Sequence, residues 1–472
     1  MGIGHVGFVS RRVLLSAGAG FVFAGAARGG PAQANQGHRI VAGPGQAPLT
    51  GRDRRATDVW AYGGSVPGPT LRVRQGEPVS IVVDNRLDQD TTVHWHGIRL
   101  PIAMDGVPGI SQPPIRPGES FVYEFTPPDA GTFWYHPHAN SLQQLGRGLA
   151  GALIVEERSP IAVDRELLWT IMDWRLKPDG QIAAGFGNRM EAAMAGRIGN
   201  TVTINGMVPA DQPVRAGERV RLRLLNAALA RIMALRFEGH RPVVVAIDGQ
   251  PCDPHEPKDG RLLLGPAMRI DVVLDMQGDP GRRYRVIDDY DDDLEYSLIH
   301  LAYDAAPPVR GRSSEAPLRL PRNPLPPPDL AAAERLELVL QGGMMGRGMR
   351  GMGNAVWAIN DLSMTGDGHA GMAPVATLEL GRSYVLALRN DTAWLHPMHL
   401  HGHSFRVLGR NGTAVPHNQW ADTVYVAPKE TVDVAFVADN PGDWMLHCHV
   451  TDHQMAGLMA VLRIEDTAPG KR

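Results

Sequence analysis

The sequence is poor in cysteine, in aromatic residues and in long apolar runs. Its 472 residues include two Cys and 6% aromatic residues, and the formal net charge is -3. A near-neutral chain lacks the basic patch of a nucleic-acid-binding protein, so we expect no nucleic-acid partner. No run is long and apolar enough to cross a bilayer, so we expect no stable membrane span. The two cysteines, Cys252 and Cys448, permit at most one disulfide.

The N-terminus has the features of an export signal. Arg11 and Arg12 precede a short apolar run that ends near Ala27, and Ala32-Gln33-Ala34 resembles a signal-peptidase site. The twin arginine indicates the Tat route, which exports folded proteins. The alternatives are an ordinary Sec signal and a disordered basic tail. We therefore predict a Tat-type signal peptide over residues 1–34, an interaction with the Tat export machinery, and a periplasmic or otherwise exported protein.

The remaining chain has the pattern of a β protein. Its 54 Gly and 38 Pro separate short runs rich in Val, Leu and Ile, and some runs, such as 120–125 and 431–436, alternate apolar with polar residues. Such alternation is typical of half-buried antiparallel strands. Roughly 435 residues are too many for one hydrophobic core. The sequence therefore predicts an all-β protein with about three β-sandwich domains.

Histidine is concentrated in four short segments, which hold eleven of the 18 His. Each segment contains a His-x-His pair, which places two imidazoles on one face of a strand. Four pairs meeting would supply eight ligands, too many for one metal ion and about right for three. Cys448, His396 and His453 remain, and they form the His2Cys ligand set of a blue-copper electron-transfer site. The segments are His94-Trp95-His96-Gly97, His136-Pro137-His138, His396-Pro397-Met398-His399-Leu400-His401-Gly402-His403 and His447-Cys448-His449-Val450-Thr451-Asp452-His453.

All four segments resemble, in order and spacing, the copper-binding signatures of the multicopper oxidases, the laccase-like enzymes. The resemblance spans residues 94 to 458 and implies three consecutive cupredoxin-like Greek-key β-sandwich domains. We place these domains at 38–158, 162–304 and 332–467, with a Pro-rich linker at 305–331. Because the histidine segments fall only in the first and third domains, a three-copper cluster is expected at their interface. The middle domain would be a spacer and a wall of the substrate side.

The resemblance also implies four copper ions: one type 1, one type 2 and a type 3 pair. A reductant would give electrons to type 1 copper, Cys448 would pass them on, and the cluster would reduce O2 to two waters. A disulfide would remove the copper thiolate, so we expect none. His403 completes the motif as a structural residue. The implied ligands are His396, Cys448 and His453 for type 1, His94 and His399 for type 2, and His96, His136, His138, His401, His447 and His449 for type 3.

Three further positions follow from the resemblance. Leu458 occupies the axial position of the type 1 site, where it cannot coordinate, so the potential should rise. A bulge after Gly457 would instead bring Met459 to the copper. Asp105 matches a carboxylate near the three-copper cluster and is expected to relay protons, or else it only forms an Asp-Gly turn. Asp422 matches an acid on the substrate side of the type 1 His, where it could bind a phenol or a metal ion.

The identity of the reducing substrate stays open at this point. Residues 342–353 are rich in Met and Gly, and Met364 and Met372 follow. Thioethers select Cu(I), which fits a cuprous oxidase, but Met is also an adaptable filler of loops and cores. We favour a laccase-like oxidase of phenols and related donors, with a metallo-oxidase for Cu(I) or Mn(II) as the alternative. A non-enzymatic envelope protein is disfavoured because every ligand position is filled.

Overall fold

Three β-sandwiches follow one another along the chain. The computed structural model describes residues 37–159, 161–291, 293–311, 318–344, 355–366, 369 and 371–466. Six β-sheets occur in this part of the chain, and its three α-helices are short. The all-β prediction is therefore confirmed. The predicted signal peptide and residues 345–354 of the Met-rich segment lie outside the described residues.

The first sandwich has two four-stranded sheets, in the orders β2-β1-β4-β6 and β3-β8-β7-β5. Alternation decides which side chains enter its core: on β6, Tyr123 and Phe125 are buried while Val122 is exposed. At the edge of the second sheet, His94 on β5 lies opposite His136 on β7. The strands are β1 His38–Ala47, β2 Thr57–Tyr62, β3 Gly68–Arg74, β4 Val79–Asn85, β5 His94–His96, β6 Ser120–Phe125, β7 Gly131–His136 and β8 Gly151–Glu156, with a 3-10 turn Ile102–Met104 and helix α1 Ser141–Gly146.

The second sandwich has sheets in the orders β10-β9-β12-β17-β14-β15 and β11-β19-β18-β13-β16. Its β12 and β17 carry three fully buried arginines, Arg221, Arg223 and Arg269. The elements are β9 Arg165–Trp174, α2 Arg189–Ala192, β10 Thr201–Ile204, β11 Gln212–Val214, β12 Arg219–Asn226, β13 Met233–Phe237, β14 Val243–Ile247, β15 Gln250–His255, a 3-10 turn Lys258–Gly260, β16 Leu262–Leu264, β17 Arg269–Asp275, β18 Arg283–Asp288 and β19 Tyr296–Tyr303.

The third sandwich has sheets in the orders β21-β20-β23-β29-β25-β26, with β27 beside β25, and β22-β31-β30-β24-β28. Its central pair β24 and β30 places His399 opposite His447 and Met398 opposite Cys448. The elements are β20 Glu334–Gly342, β21 Trp357–Ile359, β22 Ala376–Glu379, β23 Ser383–Asn390, β24 His396–Leu400, β25 Phe405–Arg410, β26 Thr413–Ala414, β27 Trp420–Ala421, β28 Thr423–Val426, β29 Thr431–Val437, β30 Gly442–Cys448, α3 Thr451–Met455 and β31 Met459–Glu465.

The first and third sandwiches share one hydrophobic core, which includes Trp95 and Trp134 from the first and Trp444 from the third. The described parts of the predicted linker, 305–311 and 318–331, contain no helix or strand. Asn323 fastens this segment by donating hydrogen bonds to Ala130 O and Gln250 Oε1, both at 2.8 Å. No helix among the described residues is long and apolar enough to cross a membrane.

Candidate metal centres

Eight histidines meet where the first sandwich packs against the third, as expected from the positions of the His-x-His pairs. We call them the imidazole cluster, and all eight are buried. They form three groups whose ligand atoms lie within 4.8 Å of one another, and each group contains residues of both sandwiches. The groups are His94, His96 and His399; His96, His136 and His449; and His138, His401 and His447.

The outward-facing nitrogens of three rings are held by backbone carbonyls. His94 Nδ1 lies 2.8 Å from Asp105 O, His399 Nδ1 lies 2.9 Å from Asp422 O, and His447 Nδ1 lies 3.0 Å from Cys448 O. A neutral imidazole that donates from Nδ1 has an acceptor at Nε2. The carbonyls therefore fix the tautomer and turn each Nε2 lone pair into the cluster.

The Nε2 atoms that point into the cluster face one another, and neither member of a facing pair carries a proton to donate. His94 Nε2 lies 3.4 Å from His399 Nε2, and His401 Nε2 lies 3.1 Å from His447 Nε2. Two lone pairs at such distances repel unless a cation lies near both. Buried nitrogens without any partner include His96 Nδ1, His136 Nε2 and both ring nitrogens of His138 and His449.

Burial favours the neutral form of several rings in the imidazole cluster, and this form suits a metal. Burial lowers the pKa of His136, His138, His401 and His449 well below the usual value, and neighbouring imidazoles lower it further. Neutral imidazole is the form that binds metal ions. The partnerless nitrogens are costly in a buried site, and metal coordination would satisfy them.

A separate group lies on the other face of β30. Cys448 Sγ lies 3.5 Å from His396 Nδ1 and 3.6 Å from His453 Nδ1, and the two Nδ1 atoms are 3.2 Å apart. Alternation along β30 explains the division, because Cys448 points away from its neighbours His447 and His449. Burial raises the pKa of the Cys448 thiol, and a bound cation would oppose this by stabilising the thiolate. The predicted His2Cys group is thus brought together.

Leu458 is fully buried and follows α3, and its carbonyl accepts a hydrogen bond from Cys448 N at 3.0 Å. Met459 opens β31 and pairs in regular register with His447. It packs against Val107 and Met445. No bulge carries Met459 to the Cys448 face, so that alternative is wrong.

Comparison with known proteins agrees with this arrangement. Three family models, each described as multicopper oxidase, match residues 46–160, 165–297 and 347–468. Multicopper oxidase MmcO of Mycobacterium tuberculosis is 30% identical over 84% of this chain and 81% of its own. The crystal structure of a multi-copper oxidase from Pseudomonas thermotolerans has a TM-score of 0.81 and 37% identity, covering 91% of this chain and 99% of that one. The chain belongs to the multicopper oxidase family.

Two other similar solved structures belong to enzymes with different activities. A laccase-like multi-copper oxidase CueO from Ochrobactrum sp., with oxidase activity towards lignin model compounds, has a TM-score of 0.77 and 26% identity over 91% of this chain and 97% of that one. A metallo-oxidase from Campylobacter jejuni has a TM-score of 0.76 and 26% identity over 93% of each chain. This multicopper oxidase is therefore an oxidoreductase that uses O2, its family implies copper, and the partnerless nitrogens described above fit that metal.

Asp105 joins two members of the imidazole cluster in this multicopper oxidase. Its Oδ2 lies 2.8 Å from His401 Nδ1, its Oδ1 lies 3.2 Å from His94 Nδ1, and the side chain is 1% exposed. The turn that holds it needs Gly106, where φ is 81° and a Cβ would clash with the Val93 carbonyl. The Asp-Gly turn and the contact with the cluster therefore occur together.

Asp422 is not on the substrate side, and that expectation is wrong. Its side chain is fully buried, and its Oδ1 lies 3.0 Å from His96 Nε2 and accepts a hydrogen bond from Thr423 Oγ1 at 2.8 Å. The His96 ring is thereby turned the opposite way from its neighbours, with Nδ1 facing the cluster. Asp422 thus orients His96 through its side chain and His399 through its carbonyl, and its side chain has no contact with solvent.

Two residues of the second sandwich support Asp422, and sequence reasoning missed both. Arg269 donates from Nη1 to Asp422 Oδ1 at 2.9 Å and from Nη2 to Oδ2. Asp248 accepts hydrogen bonds from the backbone N–H of Arg269 at 2.9 Å and of Thr423 at 3.0 Å. The only sequence signal was an arginine at the start of a strand that is otherwise rich in Ile, Val and Leu. The second sandwich thus supports the imidazole cluster, which lies where the first and third sandwiches pack against each other.

A cavity of about 790 Å³ lies beside His453, between the second and third sandwiches. We call it the His453 cavity. Its wall includes Ile198, Tyr290, Leu294 and Trp394, and the acidic residues Asp288, Asp291 and Asp293 also line it. His453 Nε2 lies 2.7 Å from Met194 O, so its Nδ1 is the atom that faces Cys448. His403, by contrast, lies against Phe436 and Trp444, in line with a structural role.

Proposed function

We propose that this multicopper oxidase holds four copper ions and oxidises phenols and related aromatic donors at the His453 cavity. His396, Cys448 and His453 would hold the type 1 ion, and His94 and His399 the type 2 ion. The other six members of the imidazole cluster would hold the type 3 pair, three to each ion. The proposal is supported by the distances between the ligand atoms, which group these side chains into one His2Cys triad and three imidazole groups.

Bound copper would supply one-electron oxidation of the donor and reduction of O2 to two waters. The chain itself provides the connection between the two centres. Cys448 is covalently joined to His447 and His449, and His447 Nδ1–H donates to Cys448 O at 3.0 Å. The thiolate and the imidazole cluster are thus linked by one residue of backbone and by one hydrogen bond.

Proton supply is the role proposed for Asp105. Reduction of O2 to water consumes protons, and Asp105 is a buried carboxylate that contacts two rings of the imidazole cluster. A carboxylate there can take up a proton and return it close to the site of O2 reduction. Asp422 differs because Arg269 pairs with it, so we assign it the orientation of His96 and His399 and no part in proton supply.

The observation that carries the phenol proposal is the lining of the His453 cavity. Aromatic and aliphatic side chains contribute much of its wall, and it opens next to a proposed type 1 ligand. An apolar wall with a few polar groups binds a small aromatic molecule by burying its ring. The alternative substrate, Mn(II) or Cu(I), is favoured by Asp288, Asp291 and Asp293 on the same wall and by the metallo-oxidase among the relatives.

Steady-state kinetics with a phenol, with Cu(I) and with Mn(II) tests the proposal on the full exported chain. We expect the highest kcat/KM for the phenol, with no loss on deletion of residues 345–353. The variant Leu294→Arg should raise the KM for the phenol because it places a charge in the His453 cavity. The matched control is Leu330→Arg, since the two leucines are 54% and 47% exposed and Leu330 does not line the cavity.

Two outcomes would contradict the phenol proposal. A kcat/KM for Cu(I) or Mn(II) above that for the phenol, together with a loss in Asp293→Asn, would favour the metallo-oxidase. An unchanged phenol KM in Leu294→Arg would place phenol oxidation elsewhere.

Export by the Tat route completes the proposal. The support is the Arg11-Arg12 pair ahead of the short apolar run. Cell fractionation should find the wild-type protein outside the cytoplasm and the double variant Arg11→Lys, Arg12→Lys inside it. Equal export of both would point to a Sec signal.

A further inference from the structure

Four methionines meet next to the imidazole cluster and on the opposite side of β30 from Cys448. Met445 and Met459 are 0% and 1% exposed, and together with Val107 they form a small core. Met364 and Met372 are partly buried and pack against it. The chain has 19 Met in 472 residues, so four in one small patch is a strong local enrichment. We call this group the Met cluster.

Strand geometry places the Met cluster beside a proposed copper ligand. Met445 and His447 are two residues apart on β30, so both side chains lie on the same face. Met459 is directly opposite His447 on β31, and cross-strand partners share a face as well. The Met cluster therefore adjoins His447 on the face of β30 that carries the imidazole cluster.

His369 lies between Met364 and Met372 in the chain. Met372 N donates to His369 O at 3.4 Å. The His369 side chain is 1% exposed, and neither ring nitrogen has a hydrogen-bond partner. Burial lowers the pKa of His369 to about 4, so the ring is neutral at pH 7.

A purely apolar core explains only part of this arrangement. Methionine is a good filler of irregular gaps, and the packing alone needs no ligand. Burying an imidazole with two unsatisfied nitrogens in such a core costs free energy. Thioethers are weak hydrogen-bond acceptors, so they do not replace the hydrogen bonds that the ring would make to water. A soft cation would satisfy the imidazole, since thioether ligands select Cu(I) and imidazole also binds copper.

We propose that the Met cluster and His369 form a fifth metal site, which binds Cu(I). This site is distinct from the His2Cys triad, because β30 separates the two. Its four methionines also lie outside residues 345–353 in the sequence. The proposal does not depend on whether phenols or metal ions are the substrate.

Silver provides the test, because Ag(I) resembles Cu(I) in its ligand preference and does not exchange electrons with bound copper. The copper-loaded, oxidised protein is titrated with Ag(I) in chloride-free buffer, and silver and copper are both measured after desalting. We expect one tightly bound Ag(I) with no loss of copper. X-ray absorption at the silver edge should show sulfur neighbours and one nitrogen.

Matched variants separate this site from other thioethers. The double variant Met445→Leu, Met459→Leu preserves side-chain volume and packing, and it should weaken Ag(I) binding at least tenfold. His369→Gln should remove the nitrogen neighbour and leave the sulfur signal. Met233→Leu, which removes a fully buried thioether from the second sandwich, should bind Ag(I) like the wild type, as should deletion of residues 345–353.

Two results would overturn the proposal. One is an Ag(I) affinity unchanged in the Met445→Leu, Met459→Leu variant while its blue copper absorption shows that the protein is folded. The other is loss of the bound Ag(I) on deletion of residues 345–353, which would assign the ion to that segment.

Discussion

Replacing Arg269 with methionine would remove a fully buried cation while leaving a side chain of similar length. The guanidinium pairs with Asp422, lies 3.4 Å from Asp248, and donates to Thr132 O at 3.1 Å and Ala267 O at 3.0 Å. Thr132 belongs to the first sandwich and Asp422 to the third, so this one side chain contacts both of the sandwiches that enclose the imidazole cluster.

The expected effect is large because two buried carboxylates would lose their counter-ion. Breaking a buried ion pair by removing one partner destabilises a protein by about 3–5 kcal/mol. Burial and the neighbouring Asp422 already raise the pKa of Asp248 to about 7, while Arg269 lowers it. Without Arg269 the pair would take up a proton, and a protonated Asp422 would hold His96 less firmly.

Two measurements check this prediction. Urea unfolding of the copper-depleted protein, followed by tryptophan fluorescence, should show the loss of about 3–5 kcal/mol in Arg269→Met. Copper content against a graded chelator should show weaker retention by about 10–100-fold, the usual effect of losing an outer partner of a metal ligand. The control is Arg285→Met, whose own side chain is exposed and whose partner Glu238 is half-buried at the surface. An exposed pair contributes about 0–1 kcal/mol.

A free energy of unfolding of Arg269→Met within about 1 kcal/mol of the wild-type value would contradict this role of Arg269. It would also be refuted if the variant were destabilised but retained copper as firmly as the wild type. In that case Arg269 would stabilise the packing of the sandwiches without orienting His96.

Four further predictions concern single side chains. Cys448→Ser should abolish the blue absorption and electron uptake from the donor, while copper analysis should still find about three ions at the imidazole cluster. Leu458→Met should lower the type 1 reduction potential in a redox titration, because a thioether would stabilise Cu(II). Asp105→Asn should slow O2 consumption at neutral pH by about 10²-fold or more, with copper content unchanged. Burial raises the pKa of Glu166, but bonds from Arg223 and Arg72 outweigh it and hold that pKa at about 2. Its stabilising effect is therefore full above the unfolded pKa of about 4.3 and is lost as the pH falls towards 2, so the difference in urea midpoint between wild type and Glu166→Gln should shrink over that range.

Some features of the metal centres depend only on residues a few positions apart in the chain, and these features were predictable from the sequence. His447, Cys448 and His449 alternate along one strand, so their division between two faces follows from strand geometry alone. That Met459 does not face Cys448 was predictable in the same way, because regular pairing of β31 turns Met459 towards His447.

Asp422 shows where this kind of reasoning fails. The resemblance to the multicopper oxidases suggested a place near the substrate, but Asp422 is buried beside His96, a residue 326 positions away. No local pattern encodes that contact, because it exists only after the first sandwich has packed against the third.

The sequence by itself determined the ligand types, the strand periodicity and the side of β30 on which each ligand lies, since these depend on residues a few positions apart. Only the tertiary structure decided that Arg269 and Asp248 of the second sandwich hold Asp422 in place. The same is true of the four methionines, which come from three separate segments and meet beside His447. The role of a buried charge or thioether depends on the groups that surround it in a low-dielectric interior. Those groups are distant in the sequence and are brought together only by long-range packing.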